Sequence, residues 1–412
     1  MPGRAARAFD IEKAYRRLES LHAAGKIDAA RKIYARLARQ RPRNPYALDL
    51  FGVLANRYRL FDVAVELLRE AVRAEPGNLD MNYHLALALC NLGDFDASAR
   101  HYAPVMRGAP PSAERCHNYA DLLLARGELA GAEEYYRRAL EMDPTWLASW
   151  NRLAEVLIHT GRHADAIPLL AHCLQREPNR IPALSLLAIA LAATGEEQAL
   201  AELVDLERFI MPLPATAPAG FADLAEFNRR LARHIATHPK LKRELRDIST
   251  RGGGQTEGNL LAEDHPLIEN FRGMIDTVIQ RYIEGLPAMP GHPHCGQVPE
   301  AWRLEGWGVV LESGGHQATH VHFDGWVSCV YYLSLPEAIH ADDPAQAGWI
   351  QFGQGPRELY GGHAAPTRRL QPQEGLFVMF PSYFWHETIP FTAEAPRICI
   401  AFDVIPQDRR RA

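Results

Sequence analysis

Five prolines, Pro42, Pro76, Pro110, Pro144 and Pro178, follow one another at intervals of 34 residues, and nothing else in the 412-residue chain constrains its fold as strongly. A second series with the same period runs through Gly25, Gly93, Gly127, Gly161 and Gly195, with Arg59 standing where one member is missing. A third passes through Ala30, Ala64, Ser98, Ala132 and Ala166. Three registers sharing one period mark a tandem array in which each repeat is one supersecondary unit.

The three positions have separate physical uses. Glycine permits the tight turn between two helices, where a side chain hinders the backbone. The small residue five positions later lets the second helix approach the first. Proline then ends that helix, because it has no N–H and disfavours helix in the residue before it. Between these marks the apolar spacing is helical, as in Leu85, Leu89 and Leu92, or Leu153, Val156 and Leu157. Over about residues 10–200 the pattern resembles the tetratricopeptide repeat. That resemblance implies an all-α solenoid whose concave face holds a protein or peptide segment; the blander expectation is an array that only caps or dimerises the rest.

The length suggests two domains, placed at residues 1–204 for the solenoid and 205–412 for the remainder. A formal net charge of −5 gives no sign of a nucleic-acid or membrane surface. No run of about 18 apolar residues is present to span a bilayer. Arg4 and Arg7 are followed by Asp10 and Glu12 rather than by an apolar run, which is not the layout of a signal peptide. The six cysteines form no CxxC pair, so free thiols in a reducing cytoplasm are expected.

Past Gly195 the period fades. Residues 212–220, with three prolines, read as a linker, 221–238 as a helix, the glycine-rich 250–259 as a loop and 265–285 as a second helix. From about residue 300 short strands take over: 309–312, 319–323, 326–335, 348–352, 376–380 and 397–404, rich in β-branched and aromatic residues. At least six strands at close spacing predict a double-sheet barrel or jelly roll, that is, a double-stranded β-helix with flanking helices.

The chemistry concentrates in Thr319-His320-Val321-His322-Phe323-Asp324-Gly325-Trp326. On a strand, residues two apart share a face, so His320, His322 and Asp324 project together. Asp324-Gly325 also reads as a two-residue hairpin turn into the next strand. His386 lies just past an apolar strand, and Arg397 opens the last strand 11 residues later. Two imidazoles and a carboxylate on one face of an iron(II), with an arginine to grip a distant carboxylate, is what a 2-oxoglutarate-dependent oxygenase requires. By contrast, Pro293 spoils a strand between His292 and His294, which are expected in a surface loop.

Residues 300–406 resemble the bacterial 2-oxoglutarate/iron(II) oxygenases that carry an N-terminal tetratricopeptide array. The matching segments are His320-Val321-His322, Trp326 to Leu333, Gly375 to Ser382, Trp385-His386, and Arg397 leading into Ala401-Phe402-Asp403. The resemblance implies His386 as an iron ligand, Arg397 as the anchor for 2-oxoglutarate and Tyr332 as a second contact to it. Two ligand sets remain open. In the first, which is favoured, His322, Asp324 and His386 hold Fe(II); in the second, His320, His322 and His386 do. The expected function is Fe(II)/2-oxoglutarate-dependent hydroxylation of a protein or peptide presented by the array. The alternatives are a non-catalytic adaptor with a degenerate oxygenase fold, and a three-histidine iron dioxygenase that does not use 2-oxoglutarate.

Overall fold

The computed structural model describes residues 10–40, 44–243, 248–360 and 365–407; Arg4, Arg7 and Pro42 lie outside them. Helices come in successive pairs. These are α1 (Ile11–Ala23) and α2 (Ile27–Gln40), α3 (Pro45–Arg57) and α4 (Phe61–Ala74), α5 (Leu79–Leu92) and α6 (Phe95–Gly108). Then follow α7 (Ala113–Ala125) and α8 (Leu129–Met142), α9 (Leu147–His159) and α10 (His163–Arg176), α11 (Ile181–Thr194) and the shorter α12 (Glu197–Leu203). All five turn glycines have positive φ, between +65° and +86°, and Arg59 is driven to +60° at the equivalent turn. The small-residue register is fully buried at Ala30, Ala64, Ser98, Ala132 and Ala166, each 0% exposed. Side chains of Asn78, Asp94 and Ser112 accept backbone N–H bonds and so cap the helices that follow them.

The chain divides into two compact units, Met1–Arg152 and Leu153–Ala412, with the division inside α9. The first is all repeat. The second contains α10–α12 together with the β-rich region. The reason is legible in α11, which has no polar face: Ile181, Leu184, Leu186, Ile189 and Leu191 are all buried. A helix that is apolar all round must be covered on every side.

In the second unit α13 (Leu206–Phe209), α14 (Leu224–Ala236), α15 (Pro266–Gly285) and α16 (Arg357–Tyr360) surround ten strands. The strands are β1 (Met211–Pro214), β2 (Leu241–Arg243), β3 (Thr250–Thr256), β4 (Trp302–Gln317) and β5 (Val327–Ser334). Then come β6 (Ile350–Phe352), β7 (Arg368–Leu370), β8 (Leu376–Pro381), β9 (His386–Thr388) and β10 (Arg397–Pro406). Seven form an antiparallel sheet in the order β1-β8-β5-β10-β4-β3-β2, and three form a second sheet, β7-β6-β9. One face of the large sheet packs on α14 and α15 through Phe227, Leu231, Phe271, Tyr331, Phe377 and Phe402. The other packs on α11–α13 and the small sheet through Leu184, Phe209, Val330, Phe352, Phe380 and Cys399. With both faces covered, β5 and β10 are buried along nearly their whole length and are mostly apolar rather than alternating.

Four expectations change. The jelly roll is seen only in the coarser form of two separate sheets, with no barrel closure among the described residues. The linker at 212–220 begins as edge strand β1, paired with β8; an edge is where a sheet tolerates proline. The glycine-rich loop at 250–259 is largely strand β3. A Cβ on Gly253 would stand 2.3 Å from the Val310 carbonyl oxygen, so glycine lets this strand lie against β4. Finally, Asp324-Gly325 closes no hairpin between neighbours, because β10 lies between β4 and β5.

Candidate metal centre

His320 and His386 are joined by reciprocal backbone hydrogen bonds, with N···O distances of 3.0 and 3.1 Å. This isolated bridge lies beyond the end of β4 and at the start of β9, and it holds the two imidazoles with ring centroids 4.2 Å apart. The His322 amide donates to the Ser382 carbonyl at 3.0 Å, which brings the third ring within 5.1 Å of His386 and 5.0 Å of His320. Each of the three side chains offers a nitrogen within 4.8 Å of the other two.

The outward nitrogens determine what the inward ones can do. Nδ1–H of His320 donates to the Ala318 carbonyl at 2.8 Å, and Nδ1–H of His386 to the Phe384 carbonyl at 3.0 Å. Nδ1–H of His322 donates to Asp403 Oδ1 at 2.5 Å. With the proton on Nδ1, every Nε2 presents a lone pair. Two of these, on His320 and His322, face each other at 3.1 Å. Facing lone pairs repel unless a cation sits between them, and three converging imidazoles suit a transition metal. Burial, with the neighbouring His322, lowers the pKa of His320 to about 3. Burial also drives His386 well below the usual histidine range, with His320 and His322 adding to the effect. Both rings are therefore neutral near pH 7, the form that ligates.

Behind His322 lies a buried network. Ser328 Oγ donates to Asp403 Oδ1 at 2.6 Å, and the hydroxyls of Ser328 and Ser382 lie 2.8 Å apart. Gly325 admits this network, since a Cβ there would meet Ser382 Oγ at 2.4 Å. A carboxylate hydrogen-bonded to a ligating imidazole fixes its tautomer and raises its basicity. Asp403 had no role assigned from sequence. The signal available was its place on one strand face with Arg397, Cys399 and Ala401, at two-residue steps.

The rings border a cavity of about 40 Å³ lined by Trp307, Gln317, Ile350, Phe380 and Arg397 among others. Arg397 is 1% exposed. Its Nη1 lies 3.7 Å from Cys399 Sγ, its guanidinium carbon 5.0 Å from the centre of the Tyr332 ring, and its Nε has no partner. The Tyr332 hydroxyl is also buried without a partner. Among the described residues, no carboxylate pairs with Arg397.

The fold thus brings together His320, His322 and His386 and sets Arg397 and Tyr332 beside them, but it leaves Asp324 out. Asp324 is exposed and takes no part in the cluster. The geometry therefore favours the second ligand set over the first, and the physical reason is local. Residues 318–326 are not a continuous strand, so the two-residue alternation that carries His320 and His322 inward does not extend to Asp324. His292 and His294 are buried rather than on a surface loop. His294 Nε2 lies 2.9 Å from the Tyr282 hydroxyl and its ring stacks on Trp326 at 5.0 Å, as a core residue.

Residues 305–403 match a family described as "Putative 2OG-Fe(II) oxygenase", and residues 57–113 and 118–179 match the tetratricopeptide repeat. No curated protein matches the chain. Among solved structures, the type IV pilus biogenesis factor PilW is similar at 19% identity and TM-score 0.42, covering 47% of this chain and 90% of its own. YrrB, a repeat protein described as having an unusual peptide-binding site, is similar at 12% identity and TM-score 0.35, over 42% of this chain and 89% of its own. A Pseudomonas putida prolyl-4-hydroxylase is similar at 17% identity and TM-score 0.34, over 49% of this chain and 96% of its own. Likenesses this distant carry no functional weight. The two family matches, lying on separate stretches, show an N-terminal tetratricopeptide-like repeat region followed by a C-terminal 2OG-Fe(II)-oxygenase-like domain.

Proposed function

We propose that the C-terminal region is a non-haem iron oxygenase whose metal is held by His320, His322 and His386, with residues 1–204 presenting a protein or peptide substrate to it. The observation that carries this reading is the convergence of three imidazoles whose Nδ1 atoms are all hydrogen-bonded elsewhere. Iron bound there supplies activation of dioxygen for oxidation of an organic substrate. The chain's own residues orient and exclude. Ala318, Phe384 and Asp403 hold the three rings in one tautomer, and Val309, Val330, Ile350 and Phe380 keep bulk water from the cavity. The two facing sheets fit an open variant of the jelly roll. An adaptor with a decayed site fits less well, because all three ligand positions are kept and buried or half-buried.

One observation favours 2-oxoglutarate as cosubstrate. Among the described residues Arg397 is a buried cation without an anion, and burying an unpaired charge is costly. A carboxylate taken into its planar fork, with the Tyr332 hydroxyl as a second donor, supplies what the guanidinium lacks. The cavity holds roughly three waters, so a dicarboxylate enters only if lining side chains give way.

Two measurements test these readings. His320→Ala should lose iron while Asp324→Ala keeps full occupancy; the reverse pattern overturns the three-histidine site. Anaerobic iron(II) plus 2-oxoglutarate should give a weak visible charge-transfer band that Arg397→Ala abolishes. Well-bound iron without that band refutes 2-oxoglutarate and leaves a three-histidine oxygenase of another kind.

A further inference from the structure

A second group of ligand-type side chains lies apart from this centre. His234, His238 and Glu263 each offer a donor atom within 4.8 Å of the other two. We propose that these three residues form a second metal site, suited to Zn²⁺, that ties the end of α14 to the segment leading into α15.

The placement follows from the chain. His234 lies in the last turn of α14 and His238 just beyond its end, four residues on, so both face one side. Glu263 precedes α15 and approaches from the neighbouring segment, its Oε2 accepting a hydrogen bond from His238 Nε2 at 2.9 Å. His234 Nε2 is buried and has no partner. Its ring is held by stacking on His265, centroid to centroid 4.1 Å, while His265 Nδ1 is occupied in accepting from the Leu267 amide.

The electrostatics favour a cation. Burial and the adjacent His265 and His238 lower the pKa of His234, which leaves it neutral with a free lone pair. Burial works against ionisation of Glu263, but hydrogen bonds from His238 and Lys240 hold its pKa low and keep it a carboxylate. The C-terminal end of α14 adds its partial negative charge. Two imidazoles and one carboxylate leave a fourth tetrahedral position for water, the open geometry familiar for zinc.

Two groups must adjust. His238 Nε2–H now points at Glu263, so metal binding moves that proton to Nδ1 and gives up the 3.2 Å contact from the Lys240 amide. The Lys240 ammonium, 3.1 Å from Glu263 Oε1, swings into solvent, where its side chain is already 56% exposed. Neither adjustment disturbs the core. The site belongs to the α14–α15 side of the large sheet, opposite the face that carries the oxygenase centre.

The test uses the full chain with the first centre removed by His320→Ala and His386→Ala. After loading with Zn²⁺ or Co²⁺ and desalting, this variant should retain one metal equivalent by mass spectrometry. With Co²⁺ it should show a tetrahedral visible spectrum, and Zn²⁺ should raise its thermal midpoint. Adding His234→Ala and His238→Ala should abolish all three signals. Glu263→Gln alone should weaken Zn²⁺ binding at least tenfold, and it decides the matter if the double variant does not fold. A metal-free but folded parent variant, or unchanged affinity in Glu263→Gln, overturns the proposal and leaves only a proton-sharing His238–Glu263 pair.

Discussion

Replacing Asp403 by Asn tests whether the carboxylate behind His322 is part of the metal centre. The substitution keeps the size of a side chain that is buried and whose Oδ1 takes both the His322 Nδ1–H at 2.5 Å and the Ser328 hydroxyl at 2.6 Å. An amide oxygen can still accept from His322, but without the charge. A hydrogen bond to a charged partner contributes about 1.5–3 kcal/mol against about 0.5–1.5 for a neutral one, so about 1–1.5 kcal/mol is lost from that contact. The negative charge that balances the bound cation through the imidazole is lost as well. Partners of this kind typically change metal affinity by about 10- to 100-fold, or about 1.4–2.8 kcal/mol. Anaerobic titration of iron(II) or Co²⁺ against a competing chelator measures it, with circular dichroism as the check on folding. A folded Asp403→Asn variant that binds metal within twofold of the parent would refute the role given to this residue.

Three further outcomes are expected. Arg59→Gly should stabilise the repeat unit by about 0.5–1 kcal/mol, since a left-handed non-glycine residue costs about 1–2 kcal/mol and glycine returns part of that as entropy; an unchanged urea midpoint contradicts it. Ala132→Leu places a large side chain where exposure is 0% and should cost about 1–3 kcal/mol by overpacking, read as a fall in the thermal midpoint. Burial lowers the His294 pKa to about 3, with His292 contributing, so the folded state binds fewer protons than the unfolded one between about pH 6.5 and 3. Stability should therefore fall on acidification through that window, by about 1.4 kcal/mol per pH unit from this residue. Urea unfolding at several pH values should show a shallower dependence in His294→Gln, and an identical slope counts against the assignment.

The repeats were legible because each marks itself at three positions whose physical demands are local: a positive φ, a buried small residue and a broken helix. Even the exception is informative, since Arg59 takes up the backbone of the glycine it replaces. The strands were legible in number and rough position, as with β5 and β10. Their pairing was not. Asp324-Gly325 has the chemistry of a hairpin, but whether two strands are neighbours depends on β10, which arrives some 70 residues later and inserts between them. The glycines of β3 and the prolines of β1 misled for a related reason. Both residue types usually break structure, yet here one accommodates a close neighbour and the other sits on an edge, which are facts about the partner strand.

The metal centre divides along the same line. Histidines two apart, a histidine after an apolar strand and an arginine opening the next are short-range signals, and the fold does bring them together. Which of His320 and Asp324 faces inward depended on where β4 stops, and local pattern does not determine that. Asp403 lay further from view, because its role exists only through His322, 81 residues away. The end of the repeat array shows the same dependence from the other side. Trp385, next to His386 of the candidate centre, donates its indole N–H to the Ser185 carbonyl of α11 at 3.0 Å. With no polar face on α11, the array does not end as a free solenoid. It ends as a supporting wall of the oxygenase-like region, so a substitution in α11 perturbs the segment that carries His386.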